Sequence, residues 1–343
     1  MFPISAVGKV SEVSSLIQRV IAVVVTFNPD ASDLEKLLKA LLPQVASVVV
    51  VDNASEPNLH SILARWSDQN VEILQMSENF GIAMAQNVGI KRAMTLGADF
   101  VLLSDQDSVP SASMVAELLA ELSAAKADQV TRPIAAVGPA TVDGRTGKVS
   151  FFVTEFFGIP RLWRPPADIE KLPPYIEVEF LIASGTLIPI EVIKRIGAMR
   201  SNYFIDHVDT EWCFRAKAAG YRLLGVPASR LEHRLGDAVK RVWFFGSRQV
   251  MFHAPLRDYY MFRNTLQMMS DTPMSWIWKI YFLWRLVQFA GYFLVFAGER
   301  WLRFQRMTLG LQHALRGCTG SLETKTNRCR AVPVSGLEPG PRT

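Results

Sequence analysis

The stretch Phe100-Val101-Leu102-Leu103-Ser104-Asp105-Gln106-Asp107-Ser108 decides the reading of this chain. Its first half is an unbroken apolar run, the pattern of a strand buried on both faces, and it ends in two carboxylates two positions apart. Side chains alternate along a strand, so Asp105 and Asp107 are expected to project from one face at the strand's carboxyl end. Two such oxygens suit Mg²⁺ or Mn²⁺ shared with a substrate phosphate, because these ions take oxygen ligands and Mg²⁺ is rarely caged by protein alone. The ligand implied is a nucleotide diphosphate. An acidic turn in solvent after a buried strand would look the same in isolation, so the neighbouring segments decide.

Those neighbours alternate. Val20–Phe27 is a β-branched run, and Leu34, Leu37, Leu38, Leu41 and Leu42 follow at helical spacing; Val45–Val51 is a second buried-type strand. A helix near Leu59–Trp66, a strand Val71–Gln75, a helix Ile82–Leu96, a helix Ser113–Ala124 and a strand Ile134–Val137 continue the alternation. Such a sequence predicts a parallel sheet with helices on both faces, and residues 20–140 read as a doubly wound, Rossmann-like nucleotide-binding half. Ligands of such sheets sit beyond the carboxyl ends of the strands. Thr26, Asn28, Asp52 and Asp105 all fall there, so three strand ends bring polar groups to one crevice. Asn79 and Gly81 precede a helix whose first turn presents free N–H groups to an anion, with Asn87 one and a half turns on.

Residues 141–240 read as a second, acceptor-side half. Gly, Pro and aromatics loosen the pattern over 141–174, which predicts a hairpin and a long loop able to cover a site. A strand over Glu177–Ile188, a short helix Glu191–Ile196, a helix Asp209–Ala219 and a strand Tyr221–Val226 follow. Asp206, His207, Asp209 and Glu211 crowd the start of the longer helix. Helix capping accounts for one or two acids at such a place, not for three with a histidine. A carboxylate beside a diphosphate site can act as general base toward an attacking hydroxyl. His233, after the last strand, can complete a metal or phosphate shell.

With 343 residues, 49% of them hydrophobic and 20% charged, the chain supports a large globular core. The formal charge of +5 does not by itself choose among polyanionic partners. Within 241–316 the basic residues lie among Trp, Phe and Tyr near an apolar segment, which speaks against nucleic acid and for a membrane surface. Residues 274–298 carry Lys279 and Arg285, and the uncharged part is shorter than the ~20 residues of a spanning helix; a helix lying at headgroup level is expected. Residues 1–19 form an N-terminal extension without a signal pattern, and 317–343, rich in Gly, Pro, Ser and Thr, are expected to be disordered. Cys213, Cys318 and Cys329 are expected to be reduced thiols.

The motifs in order resemble the family 2 glycosyltransferases of GT-A fold, and within them the bacterial rhamnosyltransferase branch. They are Val-Val-Thr-Phe-Asn-Pro at 24–29, Val-Asp-Asn-Ala-Ser at 51–55, Asn-Phe-Gly-Ile-Ala with Gln-Asn at 79–87 and Ser-Asp-Gln-Asp-Ser at 104–108. Ala-Ser-Gly-Thr at 183–186, Phe-Ile-Asp-His-Val-Asp-Thr-Glu-Trp-Cys at 204–213 and Arg-Asp-Tyr-Tyr with Arg-Asn at 257–264 complete the set. The resemblance implies a GT-A type, mostly parallel α/β sheet followed by C-terminal apolar helices. It also implies an inverting, metal-dependent transferase for dTDP-L-rhamnose. By it, Asp52 holds the pyrimidine, Asn79, Gly81 and Asn87 line the nucleotide pocket, and Asp105 and Asp107 bind Mg²⁺ or Mn²⁺ with His233. Asp209 falls at the catalytic base, with Asp206 next in line, and Ser184 and Gly185 border the acceptor with His207 and Glu211. The expected partners are a nucleotide sugar, a lipid-linked or polysaccharide acceptor, as in O-antigen assembly, and the cytoplasmic face of the bacterial inner membrane; a homo-oligomer stays open. A galactofuranosyl or glucosyl transferase and a non-catalytic glycan-assembly subunit on the same fold are the alternatives. A Rossmann dehydrogenase is disfavoured because no G-x-G-x-x-G follows the first strand.

Overall fold

The computed structural model describes residues 18–322 except 58, 60–65, 67–68, 128–131, 167–170, 234–237 and 244–246, with side chains of 234–252 also left aside. Residues 60–65 of the helix expected near Leu59–Trp66, the first seventeen residues and 323–343 lie outside the described residues.

Strands β1 (Val20–Thr26), β2 (Ser47–Asp52), β3 (Val71–Gln75) and β4 (Phe100–Asp105) pair in parallel, in the order β3-β2-β1-β4. Helices α1 (Ala31–Leu41), α2 (Ile82–Thr95) and α3 (Met114–Ala127) form the crossovers. The apolar runs are as continuous as they are because both sheet faces are covered: Val23 and Val25 face one core cluster while Ala22 and Val24 face another. Asp30 starts α1 by accepting from the N–H of Ser32 and Asp33. The sheet continues through β10 (Leu187–Pro189), β6 (Ile134–Asp143), β11 (Arg222–His233) and β5 (Ser108–Pro110), with β9 (Ile176–Val178) against β11. Here it is mixed, since β10 runs antiparallel to β4 and β6, and both β5 and β9 run antiparallel to β11.

The strand expected over Glu177–Ile188 is two short strands, β9 and β10, with Glu179–Thr186 between them. Gly185 is the physical reason: its φ of +81° belongs to a turn, and a side chain there would run into Pro139. The predicted hairpin is present as β7 (Phe152–Phe156) and β8 (Ile159–Trp163). A second hairpin, β12 (Ala238–Trp243) with β13 (Ser247–Phe252), precedes the helices α6 (Pro255–Asp271), α7 (Trp276–Phe296) and α8 (Arg300–Leu315). Helices α4 (Ile190–Ile196) and α5 (Val208–Ala218) complete the described elements.

Residues after α8 do not leave the surface at once. Arg263 donates to Gly320 O (2.6 Å) and Tyr260 Oη accepts from Leu322 N (2.9 Å), which seats 317–322 against α6. Cys318 is buried there and disulfide-bonded, a correction to the expectation of three reduced thiols; Cys213 is free and buried.

Candidate active site

A cleft of about 600 Å³ opens at the carboxyl ends of β1, β2 and β4, where the doubly wound half meets the segment leading into α5. Asp105, Asp107, Asp206, His207, Asp209, His233, Asn79 and Gly81 all line it. Residues separated by more than a hundred positions therefore share one space.

Asp105 is the last residue of β4, but Asp107 sits in the two-residue turn between β4 and β5. The two carboxylates reach the cleft through that turn, not through strand alternation, which corrects the geometry read from the sequence. Gln106 ties the turn to the first strand end, accepting from Phe27 N (2.7 Å) and donating to Phe27 O (3.2 Å). His233, at the end of β11, lies beside it because β5 pairs with β11, His233 opposite Ser108. Its Nδ1 is 2.7 Å from Ser108 Oγ and 3.5 Å from Asp107 Oδ1. Ser184, fully buried, donates to Ser108 Oγ (2.7 Å) and accepts from Asp105 N (3.1 Å). A hydroxyl oxygen has two lone pairs, so Ser108 can accept from Ser184 and from an Nδ1–H of His233 together. In that tautomer Nε2 keeps its lone pair.

Burial pushes the Asp105 carboxyl up to about 6, reinforced by Asp107 and Asp209 and opposed by His233 and Arg257. A carboxylate held in excess negative charge invites a cation. Two carboxylates and an imidazole nitrogen are a donor set that fits Mg²⁺ or Mn²⁺. Among the described residues no three such side chains close on one point, so diphosphate oxygens and water would have to complete any shell.

Across the cleft, the segment 204–207 is held in an unusual backbone shape. Phe204, Asp206 and His207 have φ of +64°, +64° and +61°, values that cost non-glycine residues free energy and persist only when surroundings impose them. Asn264 of α6 does so, donating from Nδ2 to the carbonyls of Tyr203 (2.8 Å), Ile205 (2.6 Å) and Asp206 (3.1 Å). Buried Arg263 adds a bond to Tyr203 O (3.1 Å) and holds Asn264 Oδ1 through Nε (2.9 Å). Facing them, Gly81 has φ +86°, and a side chain on it would meet Phe204 O; Ile82 N donates to that same oxygen (2.7 Å).

Asp209 opens α5 with one oxygen accepting from Ala183 N (3.1 Å) and the other from Thr210 N (2.7 Å), while burial moves its carboxyl above the usual range. Asp206 is engaged by Arg257, whose Nη2 lies 2.5 Å from Oδ1. Burial lowers the His207 pKa, and its Nε2 pairs with Thr265 Oγ1 (2.8 Å), so the ring stays neutral.

Several sequence-predicted residues lie elsewhere. Asp52 is fully buried and accepts from Thr26 Oγ1 (3.1 Å) and from Ser55, which closes the strand end internally. Asn28 accepts from Glu56 N (2.8 Å), and Asn87 exchanges two bonds with the Met199 backbone, joining the two halves of the fold. Glu211 has no exposure and pairs with Arg200 and Arg215, a buried ion cluster that does not face the cleft. Gly185 shapes its turn at the edge of β10, its N–H donating to Leu103 O of β4 (2.8 Å). Asn53, next to Asp52, lines the cleft instead and is oriented by Asn79 (2.8 Å). Arg257 and Phe204 line it as well. The position following a strand's last buried residue was the signal for Asn53; nothing local marked Arg257.

Residues 21–197 match the family model described as glycosyl transferase family 2. Over 243 residues the chain is 32% identical to a dTDP-rhamnosyl transferase, RfbF, of Shigella flexneri, covering 71% of this chain and 77% of that one. The fold is similar to that of S. aureus TarS 1-349 solved with UDP-GlcNAc (TM-score 0.51, 16% identity, 87% of this chain and 81% of that one). It is also similar to GalNAc-T7 solved with UDP, GalNAc and Mn²⁺ (TM-score 0.51, 16% identity, 63% of this chain), although this chain spans only 43% of that one. The chain belongs to glycosyl transferase family 2, and is a rhamnosyltransferase-like glycosyltransferase of mixed α/β architecture.

Proposed function

We propose that this enzyme transfers L-rhamnose from dTDP-L-rhamnose, with inversion, to a hydroxyl of a lipid-linked cell-surface glycan. The observation that carries the reading is the shared cleft: Asp209 borders the same space as Asp105, Asp107 and His233. The 32% identity to a dTDP-rhamnosyl transferase supports the donor.

Asp209 is the general base. Its raised proton affinity makes it a better base than an exposed carboxylate, and the N–H groups of Ala183 and Thr210 orient it. Asp206, neutralised by Arg257, holds that arginine at the cleft wall. Asn53, Asn79 and the Gly81 backbone form the wall toward the nucleotide, and Phe204 packs over Gly81 to keep water out. Mg²⁺ or Mn²⁺ held by Asp105, Asp107 and His233 would neutralise the departing diphosphate.

Helix α7 supports contact with a membrane surface. Its inner face buries Trp278, Phe282, Leu286 and Phe293, yet Trp276, Ile280, Leu283, Trp284 and Val287 are exposed on the outer face. Apart from Lys279, Arg285 and Gln288 the helix is apolar on its outer side as well as its inner one, an exposed apolar surface of the kind that marks a contact site. Among the described residues no helix is long and apolar enough to cross a membrane, so the helix lies in the interface, with Arg300 and Arg306 near the headgroups.

Mass spectrometry of reactions with a panel of nucleotide sugars and extracted lipid-linked glycans tests donor and acceptor. In the same assay Asp209→Asn loses about 10²–10⁴ in turnover, the usual contribution of a general base, while dTDP binding survives. Normal turnover by that variant would remove Asp209 from the role.

A further inference from the structure

A second cavity, of about 580 Å³, adjoins the cleft and shares Ile182 and His207 with it. The cleft is polar, whereas this space is walled by Phe152, Phe180, Leu181, Met261, Phe282 and Leu286. Hydroxyls of Thr141, Ser150, Thr210 and Thr265 also line it, but most of the wall is apolar and offers a sugar's hydroxyls few partners for the water they would lose. One charged side chain lines the cavity: Arg285, which is exposed and has no ion-pair partner among the described residues. The rim residues Phe151 and Leu162 are 43% and 53% exposed. The exposed Leu283, Trp284 and Val287 carry apolar surface round other faces of α7, and the shared His207 joins the cavity to the cleft that holds the base. The hairpin β7–β8 walls the cavity from another side, its Gly158 lying against Ile277 of α7.

We propose that this cavity binds the aliphatic chain of the acceptor, with Arg285 pairing with the phosphate that joins chain to sugar. The inference rests on the assignment of Asp209 as base and names the substrate class for that site. Three features converge on one amphiphile: the shared wall delivers its sugar to Asp209, the apolar lining takes its chain, and the lone rim cation matches an anionic linkage. The exposed lining residues Phe151, Leu162 and Arg285 leave the cavity open to the outside, the side from which such a molecule would enter.

The test uses the full chain and dodecyl phosphate below its micelle concentration, titrated by intrinsic tryptophan fluorescence, with dodecyl glucoside as the uncharged comparison. Saturable binding of dodecyl phosphate is expected, weakened about tenfold or more in Arg285→Gln, with dodecyl glucoside insensitive to that change. Leu162→Glu, at an exposed rim position where folding is not at stake, is expected to weaken both ligands. Binding of dTDP with Mn²⁺ is measured on the same samples and is expected to stay unchanged in both variants. Equal affinity of wild type and both variants for dodecyl phosphate, or no saturable binding, overturns the proposal. So does transfer to a soluble oligosaccharide with the same kcat/KM as to its alkyl-phosphate-linked form; a normal Asp209→Asn enzyme would instead overturn the underlying assignment.

Discussion

Asn264 holds the 204–207 segment of the cleft in shape from a different helix, and replacing it by leucine isolates that contribution. Asn264→Leu keeps the side chain's size and removes both polar atoms. Its Nδ2 group serves three carbonyls; Tyr203 O keeps Arg263 as a second donor, while those of Ile205 and Asp206 lose the donor described here. An abandoned buried carbonyl costs about 1–3 kcal/mol. Both sit where the cleft brings water within reach, so the lower part of the range applies to them, and the buried Arg263 Nε–H loses Asn264 Oδ1 as its acceptor, which makes roughly 3–5 kcal/mol for the three groups. With an unfolding entropy of about 2.1 cal/mol/K per residue, a chain of 343 residues shifts by about 1.4 °C per kcal/mol, so the melting temperature falls by roughly 4–7 °C. The functional effect is separate. Without the clamp, the positive φ of Asp206 and His207 relaxes toward commoner values, and Asp209 swings from the Ala183 N–H that aims it. Turnover at a temperature well below the melting point is expected to fall tenfold or more, with dTDP affinity within a factor of two or three. Calorimetry and initial rates on the same preparation provide the two readouts. A variant that melts within 1 °C of wild type would show that the segment is held by something else. One that melts low but turns over normally would reduce Asn264 to a stability role.

Three further outcomes follow from the same geometry. Asp105 has its folded pKa raised from 3.8 to about 6, so the folded protein binds the extra proton, and stability from this group is present at low pH and lost as pH rises through about 6. The metal-free melting temperature of Asp105→Asn should therefore exceed wild type at pH 7.5 and converge with it near pH 4, whereas nucleotide–Mn²⁺ affinity of wild type should decline as pH falls through about 6; identical pH profiles for the two proteins would refute this. Gly81→Ala places a side chain against Phe204 O at a φ of +86°, so about 1–3 kcal/mol of stability and most donor affinity should be lost by denaturant titration and nucleotide binding, and an unchanged titration would count against the packing described. Trp284→Ser, at a position 57% exposed, should leave the melting temperature within about 1 °C while reducing co-sedimentation with anionic phospholipid vesicles severalfold, and undiminished vesicle binding would remove α7 as the contact.

The first half of the fold and its strand-end acids were legible in the chain because a parallel sheet covered on both faces writes itself locally: β-branched runs, helical repeats and polar residues where each strand stops. Asp105 and Asp107 stood out as paired acids ending an apolar run, and Asp209 as one of three acids crowding a helix start, where only the family resemblance picked it from its neighbours. Strand position alone could not tell Asp52 from Asn53. Whether a strand-end side chain turns inward to Thr26 and Ser55 or outward to the cleft depends on what other segments bring to it. Nor could the acidic cluster be divided by reading it: Glu211 belongs to a buried pair with Arg200 and Arg215, Asp206 to Arg257, and Asp209 to the cleft, because a helix sends successive residues to different neighbours. The apolar cavity was invisible for the same reason, its walls coming from the sheet, β8, α6 and α7. Local pattern sets what each segment can be; which side chains meet is decided only when distant segments pack, since contact and burial are properties of the assembled chain.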